Sequence, residues 1–372
     1  MNPAGAAWRI RAEIDHDALR HNAAAVRASI GQKPGIIAVV KADGYGHGGP
    51  ETARALASFA DQFGVATLGE ARAVRAVVPE KDILLLSPCL PAEREAVVTE
   101  DFIPVVSSLA EAKAYARLAE SKPVRIHLCI DTGMGRIGVW QEEALTTAEE
   151  IASIGNSEVE SVSTHLPVAD SDPDFTEDEL QAWDKLVTQL RPILPEAKFH
   201  ALNSAASLER PQYAADRVRP GLALYGVSPL PAFQKLLRPV MTLKTRITLL
   251  RDVGPGRGIS YGRDFITPKP MRIATLAMGY ADGYPRQTSN KGAQVLIRGQ
   301  RCPILGRITM DQFMTDVTDL PRDIAPGEEV VLIGKQGEEE ITVHEVAAWA
   351  DTITWDILTR LGKRVTMEHP QA

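Results

Sequence analysis

From residue 35 onward the chain alternates short, nearly unbroken apolar runs with stretches whose apolar residues recur three and four positions apart. The runs cover 35–41, 63–67, 82–87, 102–107, 124–131, 159–166, 198–204 and 217–226. Runs this short and this rich in Ile and Val predict strands covered on both faces, as in a parallel sheet. Between them, 51–60, 109–119 and 142–154 carry the helical spacing. About eight strand–helix repeats are what a (β/α)8, TIM-like barrel requires. A doubly wound open sheet would share the alternation. The barrel is preferred because polar residues of chemical interest fall at the far ends of several different strands, and a barrel converges those ends on one mouth.

Beyond about Pro239 the helical spacers disappear. Strands are expected at 241–252, 271–278, 293–298, 301–307, 313–317 and 329–333, separated by the turn sequences GPGRG, ADGYP, RGQR and APGEE. This predicts a mostly antiparallel β domain. A helix over 342–350 opens with the capping-box pair Thr342 and Glu345, and another closes the chain near 355–361. The expected division is 9–235 for the barrel and 236–372 for the β domain, with residues 1–8 packing on the latter.

Composition narrows the function classes. A chain of 372 residues exceeds what one core usually holds, and its net charge of −7 provides no basic face for nucleic acid. No run is long enough to span a bilayer and no signal-peptide core opens the chain, so the expected address is the cytoplasm. Cys89, Cys129 and Cys302 are scattered, odd in number and free of any CxxC pattern, and no HExxH occurs. Neither a disulfide framework nor a metal site is expected.

The strand ends carry the candidate chemistry. Lys41 ends an apolar run and enters the glycine-rich segment ADGYGHGG, which is expected to be loop. Partial burial there would lower its pKa and leave an amine able to attack an aldehyde. Arg136 sits in the glycine-studded DTGMGRIG, where a guanidinium can fork onto an anion. His165 closes SVSTHL, placed to stack on a flat ring or to act as acid or base. Asn203 and Ser204 open a predicted helix, a natural phosphate seat, and Arg219 with Gly221 in RPG adds a second guanidinium and a close backbone approach. Taken alone, Lys41, His165 and the Asn203–Ser204 helix start read better as ordinary structure, a capped strand, a core histidine and an N-cap, while a surface arginine and a turn compete on level terms with the functional readings of Arg136 and RPG. Together on one rim they describe a pocket for a phosphorylated ring bearing an aldehyde.

At this point the chain resembles the alanine racemases, enzymes dependent on pyridoxal 5'-phosphate. The resemblance is carried by AEIDHDALRHN, VVKADGYGHG, IDTGMGRIG, STHLPVADS, NSAA, VRPGLALYG, ISYG, GYADGYPR and ILGRITMDQ, in this order across nearly the whole chain. It implies that Lys41 holds the cofactor as a Schiff base and serves as the base for D-alanine, and that Tyr261 in ISYG serves L-alanine from the opposite face. Tyr261 would be donated across the interface of a homodimer. The resemblance further implies that Arg219 faces the pyridine nitrogen and that Tyr45, Ser204 and Gly221 contact the phosphate. His165 would contact the ring, Arg136 and Met310 the substrate, and Tyr280 would line the access corridor.

Three positions depart from the commonest family pattern. Cys129 stands where many members carry a lysine modified to an anionic carbamate that holds the arginine, so Arg136 loses its usual partner; a neutral buried thiol is expected there. Thr309 replaces a frequent cysteine. Trp355 stands where a tyrosine often reaches the phosphate. The implied function is interconversion of L- and D-alanine for peptidoglycan supply, with a broader amino-acid racemase as the nearest variant. A fold-related decarboxylase should set an acid, not Arg219, against the ring nitrogen. A cofactor-carrying module without turnover would leave Tyr261 without purpose.

Overall fold

The computed structural model describes residues 8–370, and the chain divides into two compact units, Asp17–Arg238 and Met1–His16 with Pro239–Ala372. The first strand, β1 (Ile10–Ile14), belongs to the second unit. The expectation that residues 9–16 join the barrel is therefore corrected. The reason is visible in the strand itself. Ile10, Ala12 and Ile14 are buried while Arg11 and Glu13 face outward, the alternation of a sheet covered on one face and not of a barrel strand covered on both. The expected boundary at 235/236 also moves slightly, to Arg238/Pro239.

The first unit is built on β2 (Gly35–Val39), β3 (Gln62–Val65), β4 (Asp82–Leu85), β5 (Ile103–Val106), β6 (Val124–Asp131), β7 (Val139–Trp140), β8 (Ser157–Ser163), β9 (Lys198–His200) and β10 (Arg217–Val218). The parallel order is β10-β2-β3-β4-β5-β6-β8-β9, with β7 paired to β6. Two backbone bonds bring the end strands together, Asp216 N–H to Phe199 O (3.0 Å) and Arg219 N–H to Leu202 O (2.8 Å). The sheet thus curls into a nearly closed eight-stranded barrel. Four of the helices between strands start on side-chain caps. Thr67 and Glu70 form a reciprocal capping box before Leu68–Arg75, and Ser108, Asp172 and Asn203 cap their helices in turn. Ile37, Leu84 and Ile103 form a fully buried cluster with Leu86 packed against it.

The second unit contains β11 (Met241–Val253), β12 (Gly258–Ile259), β13 (Phe265–Ile266), β14 (Met271–Leu276), β15 (Gln294–Ile297), β16 (Gln300–Leu305), β17 (Phe313–Asp316), β18 (Glu329–Gln336), β19 (Glu339–Ile341) and β20 (Thr366–Glu368). Its large sheet runs β19-β18-β15-β16-β17-β14-β11-β1-β20, and a further pairing of β18 with β11 closes six of these strands into a ring. The β1–β20 ladder is parallel and the other described ladders of this unit are antiparallel. The helix Val343–Ala350 opens on the expected capping box, Thr342 accepting from Glu345 N–H and Glu345 from Thr342 N–H. Trp8 lies beneath the guanidinium groups of Arg11 and Arg246, 4.4 and 3.9 Å from its ring. The expectation for residues 1–7 lies outside the described residues.

Candidate active site

Lys41 follows β2, and the residues after it do not form an ordinary loop. Ala42, Asp43, Gly44 and Tyr45 all adopt left-handed helical angles, near φ 51, 51, 62 and 53°. One left-handed turn results, closed by Gly44 N–H to Val40 O (2.9 Å) and Gly48 N–H to Asp43 O (3.0 Å). L-residues resist this conformation, so outside contacts must hold it. Glu70 accepts from Ala42 N–H (2.8 Å) with one oxygen and from Ala66 N–H (2.8 Å) with the other; Asp43 accepts from Gly49 N–H (2.7 Å).

The turn aims Tyr45 inward. Its buried ring stacks on Tyr225 at 4.9 Å, and Tyr225 is itself tied to Val39 O through its hydroxyl (3.0 Å). A side-chain carbon added to Gly221 would stand 2.5 Å from the Tyr45 hydroxyl, so glycine alone leaves room there. Ser204 Oγ accepts from Gly221 N–H (2.9 Å) and Ala223 N–H (3.1 Å). Its own proton stays available to an anion. Asn203, not Ser204, caps the six-residue helix Ser204–Glu209, accepting from Ala206 N–H.

Arg219 is buried at 7 % exposure. Its Nη1 donates to His200 Nδ1 and to His200 O (3.0 Å), and its Nη2 donates to Thr164 O (2.5 Å) and Ala201 O (3.1 Å). Both terminal nitrogens are thus spent, leaving Nε–H as the remaining donor. Burial, foremost, and the charge of Arg136 bring its pKa down to about 10. His200 accepts at Nδ1 because it is neutral: burial first, then Arg219, depresses its pKa far below the usual imidazole range. Beneath it, His127 stacks on His200 at 5.0 Å and binds Ser161 and Ser163 hydroxyls at 2.8 Å each. Burial and then Arg219 hold its pKa at about 3.

Asp131, at the end of β6, accepts from the backbone N–H groups of Gly133 (3.0 Å), Gly135 (3.0 Å) and Arg136 (3.1 Å), and so shapes the loop that carries Arg136. Among the described residues the Arg136 side chain has neither an ion pair nor a hydrogen bond. Cys129 is buried, its thiol lies 3.7 Å from Ile137 O, and burial pushes its pKa up to about 11, so it is a neutral thiol. Lys41 has its pKa lowered by burial and then by Arg136, against the opposing pull of Glu70. His165 is held at about 3 by burial, then by Arg219, Arg136 and Lys41. Seven of the residues singled out from sequence, Lys41, Tyr45, Arg136, His165, Ser204, Arg219 and Gly221, therefore surround one mouth of the barrel. Sequence reasoning missed Glu70, Asp131, His127, His200 and Tyr225. For His127, Asp131 and His200 the strand-embedded polar residues in IHLCID and KFH were the available signal; Glu70 and Tyr225 gave no such signal.

The remaining candidates belong to the β unit. Tyr261 projects from the β12–β13 connection and is 68 % exposed. Tyr280 N–H donates to Thr309 O (3.0 Å) and Ala281 N–H to Met310 O (3.0 Å), joining the GYADGY and ITMDQ segments. Trp355 lies half-buried in the helix Thr354–Thr359.

Comparison with known proteins matches residues 14–229 to the alanine racemase N-terminal domain and 240–369 to the alanine racemase C-terminal domain. The chain belongs to the alanine racemase family. It is 40 % identical to an alanine racemase of Halothermothrix orenii over 370 residues, 96 % of each chain. Among solved structures, the alanine racemase from D-cycloserine producing Streptomyces lavendulae superposes with a TM-score of 0.89 at 35 % identity, covering 98 % of both chains. The alanine racemase from Bartonella henselae with covalently bound pyridoxal phosphate superposes at 0.88 and 30 % identity, covering 97 % of this chain and 99 % of that one. As in this family, the architecture is a barrel followed by a mostly antiparallel β domain.

Proposed function

We propose that this chain interconverts L- and D-alanine with pyridoxal 5'-phosphate seated at the barrel mouth. The observation that carries the reading is Arg219, whose terminal nitrogens are anchored on three carbonyls and a neutral histidine while Nε–H is left to face a ring nitrogen. An arginine gives up no proton there, so the ring nitrogen stays unprotonated. A decarboxylase would call for an acid in that position. Lys41 supplies an amine whose neutral form is favoured by burial. Tyr45 and the Ser204 hydroxyl fit a phosphate, Gly221, whose N–H holds Ser204 Oγ, leaves the space for it, and neutral His165 offers a flat contact to the ring. Bound cofactor supplies the electron sink that makes the alanine α-proton acidic.

In this reading the chain's own groups do the rest. Lys41 Nζ takes and returns the α-proton on the face of D-alanine, and the Tyr261 phenol does so on the face of L-alanine. Arg136, free of a protein carboxylate, binds the substrate carboxylate, with Met310 lining the substrate side and Tyr280 the corridor. Trp355 takes the phosphate-contact role that the family resemblance implies, with its indole N–H as its only side-chain donor. Tyr261 comes from the partner subunit of a homodimer, the protein works in the cytoplasm, and its D-alanine feeds peptidoglycan. No described helix is long and apolar enough to cross a membrane.

The test is the absorbance spectrum of purified protein followed by D-alanine formation from L-alanine, in the wild type and in Tyr261→Phe. The expected result is a yellow protein, reducible with borohydride at Lys41, that racemizes alanine, and a variant that keeps its colour and loses most turnover. A colourless protein, or undiminished racemization by Tyr261→Phe, would overturn the assignment.

A further inference from the structure

Tyr261 is highly exposed, and within its own unit its phenol has no hydrogen-bond partner among the described residues. A base must nevertheless be held to a fraction of an ångström. Its position must therefore come from its backbone, and that backbone is unusual. Ser260, just before it, has φ 65° and ψ −175°, a region that essentially only glycine enters. Gly262 (φ 75°) and Arg263 (φ 52°) follow with positive φ as well. Two non-glycine residues at positive φ, Ser260 before Tyr261 and Arg263 after it, relax unless something locks them.

Arg307 and Asp264 are the lock. Arg307 Nε donates to Asp264 Oδ2 (2.5 Å) and its Nη2 to Asp264 Oδ1 (3.2 Å), a bidentate fork that closes the far side of the loop. Asn290 donates to the same carboxylate (3.2 Å), and the Ser260 hydroxyl donates to Arg307 O (2.6 Å), tying the near side to the same residue. Gly262 packs so closely on this fork that an added side-chain carbon would lie 2.7 Å from Asp264 Oδ1 and 2.8 Å from Arg307 Cζ. The flanking β12–β13 hairpin is anchored by Ile259 and Phe265, which pack against the buried Met271, Ile273 and Leu305 cluster. The hairpin thus fixes both ends of the loop, and Arg307 fixes its tip.

We propose that Asp264 and Arg307, braced by Asn290 and Ser260, are positioning residues that set the Tyr261 phenol for proton transfer on one face of the substrate. The proposal rests on the reading of Tyr261 as the L-alanine base. It predicts a one-sided defect. Loosening the fork impairs the Tyr261 face and leaves the Lys41 face intact, whereas general damage to the fold impairs both.

The experiment incubates holoenzyme with D-alanine in D2O and follows two products, D-alanine deuterated at Cα and L-alanine. The first reports proton exchange on the Lys41 face alone; the second requires both faces. In Asp264→Ala the ratio of exchange to racemization is expected to rise roughly tenfold or more, given what small misplacements of a catalytic group cost. Amide hydrogen exchange of residues 258–266 should accelerate while the rest of the β unit keeps its protection. Asp264→Asn, which removes the charge and keeps the size, serves as the second variant should Asp264→Ala fail to fold, with the same ratio as readout. An unchanged ratio in a folded variant, or a parallel fall of exchange and racemization, overturns the proposal. Tyr261→Phe separates the two layers. If it shows the raised ratio and the Asp264 variants do not, the positioning proposal fails alone; if it racemizes normally, the base assignment fails and the proposal with it.

Discussion

Gly221→Ala tests whether the phosphate end of the mouth is built as closely as its geometry indicates. The added carbon would stand 2.5 Å from the Tyr45 hydroxyl, 3.0 Å from Cζ and 3.5 Å from Cε2. Tyr45 cannot swing aside freely, because it is 7 % exposed, stacks on Tyr225 at 4.9 Å, and Tyr225 is hydrogen-bonded to Val39 O. Overpacking of this kind costs about 1–3 kcal/mol. At about 2–4 °C per kcal/mol for a unit of this size, the midpoint of thermal unfolding should fall by roughly 4–8 °C for a mid-range cost. The closest atom is the hydroxyl, so removing it should relieve most of the clash. Gly221→Ala should therefore cost about 1 kcal/mol less in a Tyr45→Phe background than in the wild type, the coupling expected of residues in contact. Thermal unfolding of the four apo-proteins gives this cycle directly. Cofactor titration by fluorescence should show Gly221→Ala weakened about tenfold or more, because a displaced Tyr45 hydroxyl would lose its bond to the phosphate, about the worth of one hydrogen bond to a charged group. An equal cost of Gly221→Ala in both backgrounds would refute the reasoning, since the strain would then lie elsewhere than at the Tyr45 hydroxyl.

Two further outcomes follow from the ionisable groups. Cys129 and Cys302 are buried and burial pushes their pKa values up to about 11 and about 12, while Cys89 is only partly covered. A thiol reagent at neutral pH should label Cys89 slowly in the native protein and the other two only after denaturation, as peptide mapping would show; rapid native labelling of Cys129 would mean a thiolate beside Arg136. Lys41 has its pKa lowered by burial and then by Arg136, with Glu70 opposing. Removing positive charge raises the pKa, so Arg136→Gln should move the pH dependence of cofactor attachment upward, and Glu70→Gln should move it downward. Absorbance of apo-protein mixed with pyridoxal phosphate across a pH series checks both signs, and a shift in the wrong direction for either variant defeats the account.

Much of the fold was legible because a barrel strand covered on both faces has to be apolar throughout. Gly35–Val39 is such a strand, with Ile36 to Val39 buried in succession. The pairings β12 and β13 were not legible: two residues each, they are too brief for any periodicity and exist because their neighbours hold them, while of the run expected at 217–226 only Arg217–Val218 is strand. The alternation in IRAEI was readable, yet proximity to the barrel in sequence led to the wrong unit. Candidate residues at strand ends stood out by being polar where the run stopped. Polar groups inside runs, such as His127 and His200, were hidden because an isolated buried histidine looks like ordinary core until its partners are known. The left-handed turn had no local signal at all. Glycines announced a bend, but nothing in Ala42, Asp43 and Tyr45 announces positive φ, since their intrinsic preference opposes it.

That turn and the charge at the mouth are two sides of one arrangement. Three non-glycine residues in left-handed geometry cost about 1–2 kcal/mol each, and the contacts that hold them are the Glu70 and Asp43 carboxylates accepting backbone N–H groups. Those carboxylates are occupied in shaping the backbone, as Asp131 is in shaping the Arg136 loop. With Cys129 neutral and both His165 and His200 unprotonated, the mouth presents Lys41, Arg136 and Arg219 with little free negative charge to face them, although the chain as a whole carries −7. Such a surplus is tolerable only where an anion completes it, because cations crowded in a partly buried site raise one another's cost. A phosphate at Tyr45, Ser204 and Gly221 and a substrate carboxylate at Arg136 would supply that charge from outside. With Cys129 in place of the family's usual anionic partner, the proposed role of Arg136 has a direct consequence: no carboxylate among the described residues pairs with it, and its hold on a substrate carboxylate would depend on the ligand alone.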